Sequence, residues 1–154
     1  MLRFGEEVGT FMVNVQTEQG EEVLTIRVTG GIVQGKRTPI KLYQVNGVGR
    51  RMVDFVGRFP TVLFWPEDLD IVTHSPSVRR NYLNQILVQV DREYRRSLLS
   101  YEKGIRQRNR LLKKIKEGFA TTSQLIFWNQ LLIKNGTYIT QKRADLIFFL
   151  NSTQ

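Results

Sequence analysis

Two stretches late in the sequence repeat apolar residues at alternating spacings of four and three, and only a few residues separate them. Tyr94, Leu98, Tyr101, Ile105, Arg108, Leu112 and Ile115 form the first; Leu125, Trp128, Leu132, Asn135, Ile139, Lys142, Leu146 and Phe149 form the second. This is the a/d repeat of helices that pack along a shared seam. Gly118 and Thr121-Thr122-Ser123 lie between the stretches, and so short a link requires the helices to run antiparallel. The spacing therefore predicts an antiparallel coiled-coil hairpin over about 92–117 and 123–150, nearly 40 Å long at ~1.5 Å per residue. Folding at the turn pairs Ile115 with Leu125, Leu112 with Trp128, Arg108 with Leu132 and Ile105 with Asn135, to within about one helical turn. Arg108, Asn135 and Lys142 are polar seam positions, read as fixing register with their charged ends turned to water. The alternative for Arg108 is an outward contact with a phosphate or a partner carboxylate.

Before this hairpin the period changes to two. Phe11, Val13 and Val15 alternate with Met12, Asn14 and Gln16, and Val23, Thr25 and Arg27 with Leu24, Ile26 and Val28, as in strands with two distinct faces. Glu18-Gln19-Gly20-Glu21 supplies the turn of a β-hairpin. A third strand, Ile40 to Val45, ends at Asn46-Gly47, a dipeptide suited to a turn with positive φ. The short run Thr61 to Trp65, stopped by Pro66, reads as one more strand. Ser75-Pro76 opens a helix, the serine oxygen being placed to cap free N–H groups and proline fitting the first helical position. Tyr82, Ile86 and Val90, flanked by Leu83 and Leu87, are its expected apolar face. The fold class is α+β: a β-rich lobe over 1–74 and a helical arm over 75–154.

The absence of cysteine and the single histidine, His74, exclude thiolate chemistry and make a zinc site or a histidine-based triad implausible; His74 reads as a loop residue. Glu67, Asp68 and Asp70 are better explained as acids in the first turn of a short helix than as metal ligands, so no metal is expected. The start lacks a charged leader followed by an apolar core, and no apolar run approaches the ~20 residues of a membrane helix, which reads as soluble and cytoplasmic. Gly30-Gly31-Ile32-Val33-Gln34-Gly35-Lys36 matches seven positions of the phosphate-loop pattern. Arg37 follows where a Ser or Thr must hold Mg²⁺, and Pro39 opposes a helix starting at Lys36. A phosphate loop is therefore rejected.

Charge is concentrated. Of the net +9, residues 77–118 carry +8, with twelve basic side chains against Asp91, Glu93, Glu102 and Glu117. Such an excess suits a dense array of phosphates, contacted through the backbone and so without regard to sequence. Arg79, Arg80, Arg92, Arg95, Arg96, Lys103, Arg106, Arg108, Arg110, Lys113 and Lys114 are the candidate DNA-binding residues. A basic helix lying on a membrane is disfavoured, because the seam consumes the apolar face that lipid would need.

Phe64-Trp65-Pro66-Glu67-Asp68-Leu69-Asp70-Ile71-Val72, followed by Ser75-Pro76-Ser77-Val78-Arg79-Arg80-Asn81-Tyr82-Leu83, resembles the RecF family pattern, in which Phe-x-Pro-Glu-Asp-Leu precedes Gly-x-Pro-x-x-Arg-Arg-x-aromatic-Leu-Asp. Tyr101 and Arg106-Gln107-Arg108-Asn109 with Leu111-Leu112-Lys113 are similar to the family's later blocks. His74 stands where the family favours glycine, and Asn84 where it favours aspartate. The resemblance implies the β-sheet lobe of an ABC/SMC-like ATPase head, with Pro66, Glu67, Asp68 and Leu69 at the hinge between head and arm. It also implies DNA replication, recombination and repair, binding of single-stranded and duplex DNA, recombination-mediator partners and an ATP-dependent homodimer. ATP and Mg²⁺ are expected for the complete family protein and no cofactor in this chain, which is expected to be inactive alone because Walker A, signature and Walker B segments are missing. A non-catalytic coiled-coil interaction module is the alternative.

Overall fold

A computed structural model describes residues 2–18, 20–63, 66, 71 and 75–152. The chain divides into two compact units, Met1–Phe59 and Pro60–Gln154.

In the first unit four strands form an antiparallel sheet in the order β1 (Val8–Thr17), β2 (Gly20–Thr29), β5 (Lys41–Val45), β6 (Val48–Arg50). The alternating residues pair as their period requires: Phe11 lies opposite Ile26, Val13 opposite Leu24, and Leu24 in turn opposite Val45. Leu24 and Val45 are buried, and the short helix α1 (Met52–Phe55) lies on the same face, with Phe55 and Tyr43 ring centroids 5.1 Å apart. Asn46 and Gly47 make the two-residue turn with φ of 51° and 77°. The Asn46 side chain also accepts the Val23 N–H at 2.7 Å, tying this turn to β2.

The glycine-rich run Gly30 to Lys36 folds as a separate small hairpin of β3 (Ile32–Val33) and β4 (Lys36–Arg37). Gln34 and Gly35, with φ of 49° and 74°, form its turn. Lys36 thus begins a strand, where a phosphate loop needs a helix N-terminus.

The strand expected over 61–65 does not form over 61–63; Phe64 and Trp65 lie outside the described residues. An adjacent polar contact, Thr61 N–H to Gln89 Oε1 at 2.8 Å, holds this segment against the next helix instead.

The second unit contains α2 (Pro76–Val90), α3 (Arg92–Lys116), a 3-10 turn (Thr122–Gln124) and α4 (Leu125–Ser152). Pro76 takes the first helical position after Ser75. The serine does not cap the helix as expected, because its Oγ bonds Ser77 Oγ at 2.5 Å. The buried residue of α2 is Leu87, while Val90 is 69% exposed. Of the expected face Leu87 is buried and Leu83 and Ile86 are partly buried, while Tyr82 and Val90 are exposed, so the inward face is shifted toward Asn84 and Leu87, through which α2 meets the other two helices.

Helices α3 and α4 run antiparallel along their length. On α4 the expected seam from Leu125 to Leu146 is at least partly buried at every position, and only Phe149 lies outside it. On α3 the expected seam holds at five positions and is corrected at two. Tyr94, Leu98, Tyr101, Arg108 and Ile115 are at least partly buried, Leu98 packing against the core of Leu87, Tyr94 and Ile139 with Ser97 buried beside it, whereas Ile105 and Leu112 are each 38% exposed and Gly104 and Leu111 take the inward places. The spacing is the same and the choice of alternate residues differs. Gly104 explains it: a Cβ built there would lie 2.8 Å from Leu131 Cδ2 and 3.0 Å from Leu132 Cδ2, so α4 fills the space that a side chain would occupy. Gly136 does the same on α4, where a Cβ would lie 3.1 Å from the Tyr101 ring. The register accordingly sits about one turn from that expected, with Arg108 beside Asn129 and not Leu132.

Candidate nucleic-acid interface

The α3 seam fixes which of its basic residues look outward. With Tyr94, Tyr101 and Arg108 at one seam position, Arg96, Lys103 and Arg110 recur every seven residues off the seam, Arg110 at the edge of the groove that closes the hairpin. Arg92, Arg106 and Lys113 form a second row, interrupted by Leu99. All six are exposed. Seven residues of helix advance about 10.5 Å, so each row is a line of separated cations. Lys114 is also exposed, at the edge of the groove between the helices. Two neighbouring acids approach the rows in solvent: Glu93 lies 3.9 Å from Arg96 and Glu117 3.9 Å from Lys113, where such pairs contribute about 0–1 kcal/mol.

The remaining candidates are placed differently. Arg108 is half-buried and donates from Nε to Asn129 Oδ1 at 2.8 Å, so it bridges the helices. Arg95 is half-buried. Arg79 donates from Nε to the Ile71 carbonyl at 3.0 Å, and Arg80 is exposed, both on α2. They do not continue the α3 rows. Of the hinge residues Pro66 is exposed, while Glu67, Asp68 and Leu69 lie outside the described residues, as do Asp70 and His74. Among the described residues no three His, Asp or Glu side chains gather as metal ligands, and no helix is long and apolar enough to cross a membrane.

A polar cluster anchors the base of the hairpin. Tyr94, fully buried, donates its hydroxyl to Asn84 Oδ1 at 2.5 Å, and Arg143 donates to the same oxygen from Nη2 at 2.9 Å and to the Tyr94 hydroxyl from Nε at 3.1 Å. One residue from each of α2, α3 and α4 thus shares a single knot. Asn84 serves here as the acceptor for an arginine. Beside it, Asp91 caps α3 by accepting the Tyr94 N–H at 2.8 Å, accepts the Tyr138 hydroxyl at 3.1 Å, and lies 3.6 Å from Lys142 Nζ. Lys142 was a polar seam position in the sequence; its ammonium finds this carboxylate.

Burial alone pushes the Asp91 carboxyl up, but the Tyr94 N–H, the Tyr138 hydroxyl and the Lys142 ammonium together outweigh it and hold the group below the usual carboxylate range. Burial raises the Tyr94 and Tyr138 hydroxyls, Arg143 opposing the first and Asp91 reinforcing the second. A carboxyl with a depressed native pKa adds stability that is present above its unfolded pKa of about 4 and is lost as pH falls through the native value. The Asp91→Asn variant should therefore be less stable than the parent at pH 7, and the gap should close as urea melts are repeated toward pH 3. A gap independent of pH would mean that Asp91 ionisation contributes nothing.

The tip of the hairpin carries a feature that the apolar periodicity could not show. Gly118 (φ 80°) ends α3 with a paired turn, its N–H donating to the Ile115 carbonyl at 3.1 Å and that of Phe119 to the Lys114 carbonyl at 2.9 Å. Phe119 is left 82% exposed. An aromatic directly after a helix-stopping glycine was the available signal.

No protein-family model matches the chain. The DNA replication and repair protein RecF of Thermomicrobium roseum is 41% identical over 129 residues, 82% of this chain and 31% of the relative. That of Herpetosiphon aurantiacus is 40% identical over 116 residues, 74% and 30%. That of Lachnospira eligens is 31% identical over 157 residues, 99% and 41%. Solved structures of the recombination mediator protein RecF with ATPrS and with ATP superpose with TM-scores of 0.81 and 0.80 at 30% and 31% identity, each covering 95% of this chain and 38% of the other. The relatives share one class by name, the DNA replication and repair proteins, and the solved structures share this fold. Within that class the chain belongs to the RecF family, and it spans about a third of the length of the curated relatives it matches.

Proposed function

We propose that this chain is a DNA-binding part of a RecF-type replication, recombination and repair protein, and that the outer face of α3 is its phosphate contact. The observation that carries this reading is the pair of exposed rows, Arg96, Lys103, Arg110 and Arg92, Arg106, Lys113, off the seam of α3, with Arg110 also reaching the groove at the hairpin tip. Cations held at fixed intervals on a rigid helix release condensed counterions from single-stranded or duplex DNA without reading bases. On this reading residues 75–154 form a coiled-coil arm, and 1–74 belong to the β-rich lobe of an ABC/SMC-like ATPase head, with Pro66 to Leu69 at the hinge.

ATP and Mg²⁺ belong to the complete protein in this proposal, as do an ATP-dependent homodimer, recombination-mediator partners and a cytoplasmic location. The run Gly30 to Lys36 does not fit a phosphate cradle, since its lysine begins β4, so no step of ATP turnover is assigned here.

Fluorescence anisotropy with labelled single-stranded and duplex oligonucleotides tests the proposal. Log affinity should fall linearly with log salt, with a slope of roughly −0.7 to −0.9 for each phosphate neutralised. The triple reversal Arg106→Glu, Arg110→Glu, Lys113→Glu should cut affinity roughly 10- to 100-fold while the far-UV circular dichroism is unchanged. Affinity that survives the reversal, or ignores salt, would remove α3 as the contact and favour a protein-docking module.

A further inference from the structure

The cation rows explain attraction to any phosphate backbone. The hairpin tip differs from them in combining cations with an exposed ring. A groove of about 570 Å³ opens between the end of α3 and the start of α4, lined among others by Gln107, Arg110, Lys114, Phe119, Gln124 and Trp128. That volume is in the range of ligand clefts. Gln107, Arg110 and Lys114 share one helix face by their spacing of three and four. Trp128 forms the inner wall, half-buried and edge-on to Phe127 with centroids 5.0 Å apart.

Phe119 is held there by the backbone. After a glycine stop of this type an apolar side chain ordinarily folds back on the last helical turn. Here that turn consists of Lys113, Lys114, Ile115 and Lys116, with Ile115 turned into the seam. The ring therefore stands out from the tip on a fixed main chain, rimmed by positive charge.

A lone exposed phenylalanine needs no explanation. One fixed at the mouth of a groove, with two cations and two amide side chains lining it, has the composition of sites for unpaired nucleic acid, where a ring stacks on a base and a cation meets its phosphate. We propose that the tip binds one base of an unpaired DNA strand, with Phe119 as the stacking surface and Arg110 and Lys114 as the phosphate contacts. The charge complementarity selects a polyanion, and the ring selects one whose bases are free. The inference rests on the reading of this chain as a DNA-binding protein, and it adds a preference for unpaired strands that the cation rows alone cannot supply.

The test uses the whole chain and three probes: a 16-nucleotide thymidine strand, an abasic strand of the same length, and a 16-base-pair duplex. The parent should bind the thymidine strand more tightly than the abasic one. Phe119→Ala should lower affinity for the thymidine strand roughly 5- to 100-fold and leave the other two unchanged. Phe119→Trp should restore it. Phe119 is exposed, so folding is not at stake, and an unchanged melting curve confirms this. Equal affinity of the parent for thymidine and abasic strands, or equal losses on all three probes in Phe119→Ala, overturns the stacking site while leaving phosphate binding intact. If the parent binds none of the probes, the DNA-binding reading fails, and the stacking site with it.

Discussion

Tyr94→Ala should lower the unfolding free energy by about 3–5 kcal/mol, the range for removing a large buried side chain. Tyr94 is the one fully buried large residue among those described, and it lies in a small core with Leu87 and Ile139, flanked by Val88, Leu98, Tyr101, Tyr138 and Leu146. Its ring fills the space where three helices meet, and no neighbour can close over the void without moving one of them. Tyr94→Phe separates packing from polarity. It keeps the ring and deletes the hydroxyl, but Arg143 continues to satisfy Asn84 Oδ1, so the loss should be nearer 1–3 kcal/mol. Urea denaturation followed by far-UV circular dichroism measures both. A Tyr94→Ala protein within about 1 kcal/mol of the parent would show that the junction does not hold the helices together.

Gly104→Leu should cost about 3 kcal/mol, whereas Gly104→Ala should change stability by no more than about 1 kcal/mol. The contrast follows from geometry. A single added carbon crowds the methyl ends of Leu131 and Leu132, with Leu132 Cγ at an ordinary 3.5 Å, and those methyls can turn aside by a few tenths of an ångström. Relief of glycine's unfavourable helix propensity, about 1 kcal/mol, offsets that crowding. Leucine adds three further carbons where α4 already lies, so the helices must separate or slide. Thermal melts of the two variants decide the matter; a Gly104→Leu protein as stable as the parent would mean that the helices are not in close contact at this level.

These residues also show how far the sequence could be read. Local signals were legible: Asn46-Gly47 makes its turn because positive φ at both positions is settled by two residues alone, and Pro76 sits where its missing N–H is harmless. The hairpin was legible because its period survives any choice of partner. Its seam was not fully legible, since apolar pattern favours Ile105 over Gly104 and cannot choose between Leu112 and Leu111. At a close crossing the small residue faces inward and the large one beside it is turned out. The outward cation rows could be found from spacing, given a seam that was correct at Tyr94, Tyr101 and Arg108. The knot of Asn84, Tyr94 and Arg143 could not, because it joins residues up to 59 positions apart through polar side chains that no periodicity marks. Phe119 escaped for a different reason: its position follows from a helix ending.

The single residue between α2 and α3 has a mechanical meaning. Asp91 (φ −119°, ψ 108°) is the whole of that link, so the direction of a 25-residue helix relative to α2 is set by a few torsions at its root. At 1.5 Å per residue the helix is a lever about 37 Å long. A rotation of ten degrees at Asp91 would sweep its far end through roughly 6.5 Å, about the rise of four helical residues. Tyr94, Tyr138 and Lys142 all grip this residue or its neighbour in the knot, and they therefore act at the fulcrum, where a displacement of an ångström is multiplied before it reaches Phe119.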